Sequence, residues 1–389
     1  MYNTIANLRS TLTLLTTDYR LRATDMHSGT ANLPLHGGHA PRWLFERMVK
    51  MSAEIAGWIV AEQGTAELFR RLSDPVWFQA FGAVMGMDWH SSGVTTTVCG
   101  ALKQGMKGRE RALGFVVAGG KGRTSRQTPD ELTAAGEWMG VDPAPYVQAS
   151  RMAAKVDNNA LQDGYQIYHH VFLLDRGGHW AVVQQGMNDA SGYARRYHWF
   201  SDDVHSFVSD PHAAIASEAT GEVWNLVASD SARARDVTAA LAREQPEKVV
   251  AEVAKIRELT LPAHHDVKGA DVDPRRLHRI LLKTYERQPE DFATLLGMEG
   301  VGARTLRALS LVGELVYGAP VSVKDPARFS FAHGGKDGHP YPVDKKTYDK
   351  SIEILRSQLR DVRGDARDRA SIGALRQVAL GLLDLGNRD

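Results

Sequence analysis

The spacing of hydrophobic residues predicts two helices in the first half of the chain. After Pro41, apolar side chains recur at three- and four-residue steps until Gly64, so we expect one long helix that begins near Pro41. A second helix is expected to begin with Thr128 as its N-cap, because Glu131 follows three residues later, and to end at Gly140.

The clearest strand signal comes next along the chain. Residues 165–174 and 180–184 are rich in aromatic and β-branched side chains, and the turn sequence Asp-Arg-Gly-Gly lies between them at 175–178. This pattern predicts a β-hairpin. Adjacent residues of a strand face opposite sides, so of His169 and His170 at most one can join a given site.

After about residue 201 the pattern changes to charged and apolar residues at helical spacing, which predicts a nearly all-helical second half. The sequence therefore predicts an α+β protein in two parts. Residues 28–205 form a mixed α/β domain that carries any catalytic site, and residues 206–389 form a helical domain.

Residues 291–318 contain the motif with the most specific chemistry. A short apolar helix, the tight turn Gly300-Val301-Gly302 and a longer apolar helix follow one another, as in a helix-hairpin-helix element. Two glycines let a phosphate approach the backbone closely, and N–H groups at the start of the second helix point at the anion. Such an element holds the DNA backbone without recognising its sequence.

Side chains beside this turn fit the same function. Val301 should pack between the two helices, and Arg304 and Thr305 in the first turn of the second helix could add phosphate contacts. The alternative is an ordinary turn between helices that needs glycine for steric reasons alone.

The segment after the hairpin resembles base-excision DNA glycosylases. Asp325 follows Gly318-Ala319-Pro320, and the resemblance implies a catalytic Asp325 that stabilises positive charge on the sugar or activates a nucleophile. Arg304 stands where bifunctional members carry a catalytic lysine, which counts against a lyase. Alternatively, Asp325 is a loop residue, and Lys324 and Arg328 belong to a DNA-contact loop.

Two polar clusters are candidates for catalysis in the first half. Asp88 and His90 lie in a segment dense in polar groups and are suited to metal binding or proton transfer, or else to a hydrogen-bonded turn followed by a buried threonine strand. Lys155, Asp157 and Asp163 precede the hairpin and loosely resemble the carboxylates of metal-dependent nucleases. A nuclease site would use Asp88, Asp157, Asp163 and His169 to hold Mg²⁺ or Mn²⁺.

Two further stretches are basic. Residues 119–126, Gly-Gly-Lys-Gly-Arg-Thr-Ser-Arg, suit a phosphate-binding loop but lack the spacing of a nucleotide-binding P-loop, so the sequence does not support ATP use. The alternative is a solvated basic loop. Residues 195–199 either follow a DNA backbone or pair with Asp202 and Asp203.

Composition and charge narrow the class of protein. The 389 residues carry a net charge of only +1, so nucleic-acid binding would need a local patch. The single cysteine, Cys99, excludes intrachain disulfides and suits a reducing cytoplasm. No apolar run approaches the roughly 20 residues that span a bilayer, and residues 1–25 make a poor signal peptide. We therefore expect a cytoplasmic protein with no membrane partner.

The chain resembles the prokaryotic domain-of-unknown-function family seven-six-three over nearly its whole length from Ser28. The segments that carry the resemblance are 28–48, 88–93, 155–170, 182–187, 194–199 and 325–343. This resemblance implies no particular reaction.

The sequence leaves three functions open, all with DNA as the partner and with DNA repair as the expected setting. The first is a metal-dependent nuclease, which the polar clusters favour. The second is a DNA glycosylase that uses Asp325, and the third is a DNA-binding protein without catalytic activity.

Overall fold

The computed structural model describes residues 40–87, 92–217, 220–256 and 274–327. The helices that precede the first strand are α1 (Arg42–Gln63), α2 (Thr65–Leu72), α3 (Pro75–Val84), α4 (Gly93–Met106) and the short α5 (Glu110–Leu113). Helix α1 buries Leu44, Met48 and Met51, which are spaced so that they share one face of a helix.

A five-stranded antiparallel sheet forms the centre of the fold, in the order β1-β3-β4-β5-β6. Its strands are β1 (Phe115–Lys121), β3 (Gln166–Asp175), β4 (Trp180–Asn188), β5 (Tyr193–Phe200) and β6 (Ala214–Ser217). Two short strands, β2 (Leu161–Gln162) and β7 (Trp224–Asn225), pair separately.

The connection from β1 to β3 brings several polar segments to one end of this sheet. It comprises a 3₁₀ turn (Gly122–Gln127), α6 (Thr128–Met139), α7 (Ala144–Lys155) and one π-helical turn (Val156–Ala160). Lys121 at the end of β1 lies opposite His169 near the start of β3, and Met187 near the end of β4 lies opposite Gln166. We call this the Lys121 end of the sheet.

The helices that follow the sheet are α8 (Ala232–Leu241), α9 (Pro246–Ile256), α10 (Pro274–Arg287), α11 (Phe292–Gly297) and α12 (Ala303–Tyr317). Single 3₁₀ turns at Ser201–Asp203 and Ser229–Ser231 lie between β5 and α8. The described part of the chain beyond β7 is thus mostly helical.

Each face of the sheet packs against its own group of helices. Val171, Leu173 and Val183 belong to the buried cluster formed with α1–α4. On the opposite face, Phe172 and Trp199 share a cluster with Leu296 of α11 and Val312 of α12. Alternation along the strands explains this division, because neighbouring residues point to opposite faces.

Several predictions from the sequence are confirmed. The fold is α+β, the helix after Pro41 ends before Gly64, and β3 and β4 form the predicted hairpin. The boundary near residue 205 remains a prediction. However, β6 lies beyond that boundary and pairs with β5, and one buried cluster contains side chains from both sides of it.

Local predictions at two places are wrong. Thr128 is the first helical residue and its hydroxyl donates to the Ser125 carbonyl, so it is not a side-chain cap. Residues 94–97 lie in α4 and form no strand, because Val94, Val98 and Leu102 are buried at helical spacing. The second half is mostly helical, as predicted, and also contains the short strands β6 and β7.

Candidate nucleic-acid interface

The turn between α11 and α12, residues 298–302, has at its tip a glycine with a positive φ angle and free space around its Cα. Gly300 has a φ of +88°, which side-chain-bearing residues rarely adopt, and a Cβ placed there would meet no atom within 4 Å. Val301 is only 3% exposed, in the buried cluster with Leu295, Leu296 and Leu306. The predicted packing of Val301 is therefore confirmed, and we call residues 298–302 the bend.

Several main-chain N–H groups at and just after the bend are available to a ligand. Those of Gly300, Gly302 and Arg304 form no hydrogen bond with any residue that the structure describes. They lie at the N-terminus of the 15-residue α12, where the helix dipole favours an anion. The Arg304 side chain is exposed beside them.

The Thr305 side chain adds nothing to this group of donors in the structure, because the residue is only 6% exposed. The predicted phosphate contact by the Thr305 hydroxyl remains a prediction, and this burial does not favour it.

Side chains from the π-helical turn and β2 hold the bend in place. Asn159 Oδ1 accepts a hydrogen bond from the Ala303 N–H at 3.2 Å, and the Gln162 amide donates to the Ala303 carbonyl at 2.9 Å. Ala303 is thus fixed on both sides, while the N–H groups of Gly302 and Arg304 stay open.

Lys155 fixes the other side of the bend. Its Nζ donates to the carbonyls of Leu296 at 2.7 Å and Met298 at 2.5 Å, which lie at the C-terminal end of α11. Burial lowers the pKa of the Lys155 ammonium, while the charge of Glu299 acts to raise it. The geometry gives Lys155 a structural role as a helix C-cap, in contrast to the predicted catalytic one.

Asp163 and Asp325 share a single buried guanidinium. Arg195 reaches Asp163 at 2.9 Å and Asp325 at 2.8 Å, and the side chains of the two aspartates are 0% and 6% exposed. Burial alone would lower the pKa of Arg195, but the neighbouring negative groups, Asp163 first among them, hold it above its ordinary value. Arg195 is therefore charged and neutralises a buried acidic pair.

The partners of Asp325 do not fit the predicted glycosylase role. Besides Arg195, its carboxylate accepts hydrogen bonds from the N–H groups of Gly221 and Ala327. A catalytic carboxylate must face the sugar, whereas this one is turned inward and occupied. Arg195 is likewise unavailable for the DNA backbone, contrary to one of the two interpretations of residues 195–199.

Asp157 lies in a buried hydrogen-bond network on the same face of the sheet. Its carboxylate accepts from Gln184 Nε2 at 2.5 Å and Trp199 Nε1 at 3.0 Å, and it contacts His212 Nε2 at 2.5 Å. Gln184 continues the network to His170 Nδ1 at 2.8 Å. These hydrogen bonds satisfy the buried Asp157 carboxylate, so its burial does not require a metal ion.

His169 is separated from these carboxylates by the sheet. It points towards the face that carries Val171, is 1% exposed, and neither ring nitrogen has a hydrogen-bond partner among the residues that the structure describes. Burial, together with the charges of His170 and Lys121, lowers the pKa of His169 to about 3, so the ring is neutral.

The described members of the predicted metal site do not converge. Within residues 40–87, 92–217, 220–256 and 274–327, no three His, Cys, Asp or Glu side chains are placed to hold a metal ion. Asp88 and His90 lie outside the described residues. The combination of Asp157, Asp163 and His169 predicted from the sequence is therefore wrong for this geometry.

Of the two cations predicted after α12, one is described. Lys324 is exposed and pairs with Asp230 at 2.8 Å, which leaves it on the surface but engaged. Arg328 lies outside the described residues.

Sequence inspection missed Asn159, the residue that fixes the start of α12. The only signal is the unusual run of polar residues between Lys155 and Asp163, which indicates many hydrogen bonds but not their partners.

Comparison with known families gives one match. The family model described as "Protein of unknown function (DUF763)" matches residues 29–343. The chain belongs to this family. Membership in DUF763 confirms the resemblance seen in the sequence and adds no reaction to it. No match was found among curated proteins or among solved structures. None of the described helices combines the length and apolar character needed to cross a membrane.

Proposed function

We propose that this DUF763 protein binds DNA through the sugar-phosphate backbone at the bend. The observation that carries the proposal is the group of N–H donors around the start of α12, among them those of Gly300, Gly302 and Arg304, that have no acceptor among the described residues. Donors arranged in this way suit a phosphate oxygen. The glycines leave room for the phosphate to reach them.

The supports around the bend favour a preformed site. Lys155, Asn159 and Gln162 fix the backbone on either side of the open donors, so little conformational entropy would be lost on binding. Arg304 adds an exposed positive charge, whereas Glu299 is an exposed negative one. We therefore expect moderate affinity without sequence preference.

The proposal assigns binding and no reaction. The glycosylase alternative loses its support because Asp325 is paired with Arg195. The nuclease alternative, with Mg²⁺ or Mn²⁺, would now depend on Asp88 and His90 together with ligands other than those predicted. A role in DNA repair also remains a prediction.

The test is fluorescence anisotropy with labelled single-stranded and duplex DNA of the same sequence. The variant combines Gly302→Ala with Arg304→Ala. A Cβ at position 302 would lie 3.8 Å from Asn159 Oδ1, an ordinary contact, so the fold should be kept while the methyl group obstructs the phosphate. We expect about tenfold weaker binding or more, since hydrogen bonds to charged groups contribute roughly 1.5–3 kcal/mol.

Lys107→Ala is the matched control, because it also removes one exposed positive charge. Lys107 follows the last residue of α4 and precedes β1 in the chain, whereas Lys121 is the last residue of that strand, so Lys107 belongs to neither the bend nor the basic loop. If the double variant melts like the unmodified protein and binds DNA equally well, the proposed function is wrong.

A further inference from the structure

The basic loop after β1 lies at the surface of the protein. Lys121, Arg123 and Arg126 are exposed in or beside the 3₁₀ turn Gly122–Gln127. None of the three forms an ion pair with a carboxylate of the described residues. Three cations in or beside one short turn, with no described carboxylate paired to them, are suited to phosphates.

This loop and the bend lie at the same end of the sheet. Lys121 is paired with His169 near the start of β3. Two residues earlier on β3, the Ile167 N–H donates to Asn158 Oδ1 at 3.0 Å. The next residue, Asn159, accepts from the Ala303 N–H beside the bend. A short series of main-chain and side-chain contacts therefore joins the loop to the bend.

Tyr168 lies beside the basic loop, next to Ile167 on β3. Its ring is partly exposed, its hydroxyl is hydrogen bonded to Gln185, and Lys121 Nζ lies 5.8 Å from the ring centroid. An aromatic ring beside cations is the combination with which proteins hold unpaired bases and their phosphates. In a duplex the bases are already stacked on one another, so a ring at this position would have no free base face to contact.

We propose that a single DNA strand bound at the bend continues across the Lys121 end of the sheet, where Tyr168 stacks on a base and Lys121, Arg123 and Arg126 hold the phosphates. This inference rests on the proposed function and adds a preference for single-stranded DNA. Exposed carboxylates at Asp130, Asp189 and Glu299 border the path. They confine the strand to the cationic positions and keep its affinity moderate.

The first experiment removes the cations of the loop. Arg123→Ala combined with Arg126→Ala changes two exposed residues, so the fold should be unaffected. In anisotropy titrations we expect about tenfold weaker binding of a single strand long enough to reach both sites, and a smaller loss for duplex DNA. A very short oligonucleotide that occupies only the bend should show no loss. Lys107→Ala again serves as the control.

The second experiment tests the ring. Tyr168→Ala should weaken single-strand binding about tenfold, within the roughly 1–3 kcal/mol per stacked base, whereas Tyr168→Phe should retain it because the ring remains. Quenching of the fluorescence of 2-aminopurine in the oligonucleotide gives an independent measure of stacking. That quenching should disappear in the alanine variant alone.

The outcomes separate the two proposals. If the bend variant loses affinity but the loop and Tyr168 variants do not, the extended path is wrong and binding at the bend stands. If only the loop and Tyr168 variants lose affinity, the bend is not the anchor and both proposals fail as stated. Equal losses for duplex and single-stranded DNA would overturn the single-strand preference, and tighter binding of RNA of the same sequence would overturn the choice of DNA.

Discussion

Arg195 shows how a buried charge is balanced by residues distant in sequence. It holds one aspartate 32 residues before it and another 130 residues after it. Removing one carboxylate leaves the guanidinium with a single buried partner, and breaking a buried ion pair in this way commonly costs about 3–5 kcal/mol.

Asp325→Asn should therefore lower the free energy of unfolding by about 3 kcal/mol, measured by urea denaturation. The folded variant should bind DNA with unchanged affinity, because Asp325 has no part in the proposed interface. Lys324→Ala, which breaks the exposed pair with Asp230, is the comparison and should leave stability unchanged. A stable Asp325→Asn protein that has lost a base-release activity would instead restore the glycosylase hypothesis.

The burial of His169 predicts how the stability of the protein depends on pH. Its native pKa of about 3 lies below the ordinary value of 6.5 because of burial. Between these values the unfolded chain binds a proton that the native protein does not, so its contribution destabilises the fold as the pH falls below about 6.5. At pH 5 the loss from this one group approaches about 2 kcal/mol.

His169→Leu should remove that loss, and it also replaces an imidazole whose buried nitrogens have no partner in the described part of the chain. We expect the variant to be more stable at pH 7.5 by about 1 kcal/mol. Its advantage over the unmodified protein should grow by about a further 2 kcal/mol at pH 5. Urea unfolding at both pH values measures this, and an equal difference at the two values would contradict the assigned environment of His169.

At the scale of elements, the start of α12 depends on a residue from another element. Asn159 of the π-helical turn accepts a hydrogen bond from the first N–H of α12, one of the four that have no partner within the helix. Gly302, which precedes the helix, has no side chain to do so. The turn and the helix are therefore stabilised together.

Two substitutions of Asn159 should have opposite effects. Asn159→Ala removes the acceptor and should cost about 1 kcal/mol of stability with only a slight loss of DNA affinity, because the open N–H groups remain and Lys155 and Gln162 still fix the backbone beside them. Asn159→Asp keeps an acceptor and should retain stability, but its negative charge beside the bend should weaken DNA binding severalfold. Thermal melting and anisotropy measure the two properties. If Asn159→Asp binds DNA as well as the unmodified protein, no phosphate approaches the bend.

The elements that the sequence predicted are those with local signals. The β3–β4 hairpin was predicted from its strand-forming residues and the turn between them, and α1 from the helical spacing of its apolar residues. The glycines at 300 and 302 indicated the bend. In contrast, β6 has the short sequence Ala-Ile-Ala-Ser and becomes a strand by pairing with β5. The partners of Arg195 and Asn159 could not be predicted, because they lie far away along the chain.

At the scale of the whole molecule, the weak net charge limits how DNA can be bound. With a net charge of +1, attraction must come from the local set of exposed cations, Lys121, Arg123, Arg126 and Arg304. Each phosphate neutralised on a single strand contributes a slope of about −0.7 to the dependence of log K on log salt concentration.

We therefore expect a slope of about −2 to −3 for single-stranded DNA, from anisotropy titrations over a range of salt concentrations. The Arg123→Ala and Arg126→Ala double variant should reduce its magnitude by about 1.4. Lys107→Ala should leave it unchanged. A slope steeper than about −6 would mean that the strand follows a different and larger basic surface.

The triad of Arg195, Asp163 and Asp325 also bears on how members of this family diverge. A buried arginine that loses one of its two carboxylates, or a buried carboxylate that loses the arginine, lowers the stability of the fold. Mutations at these three codons should consequently be tolerated only in combination. Across homologous sequences the positions are expected to covary, with all three ionic or all three replaced by neutral side chains.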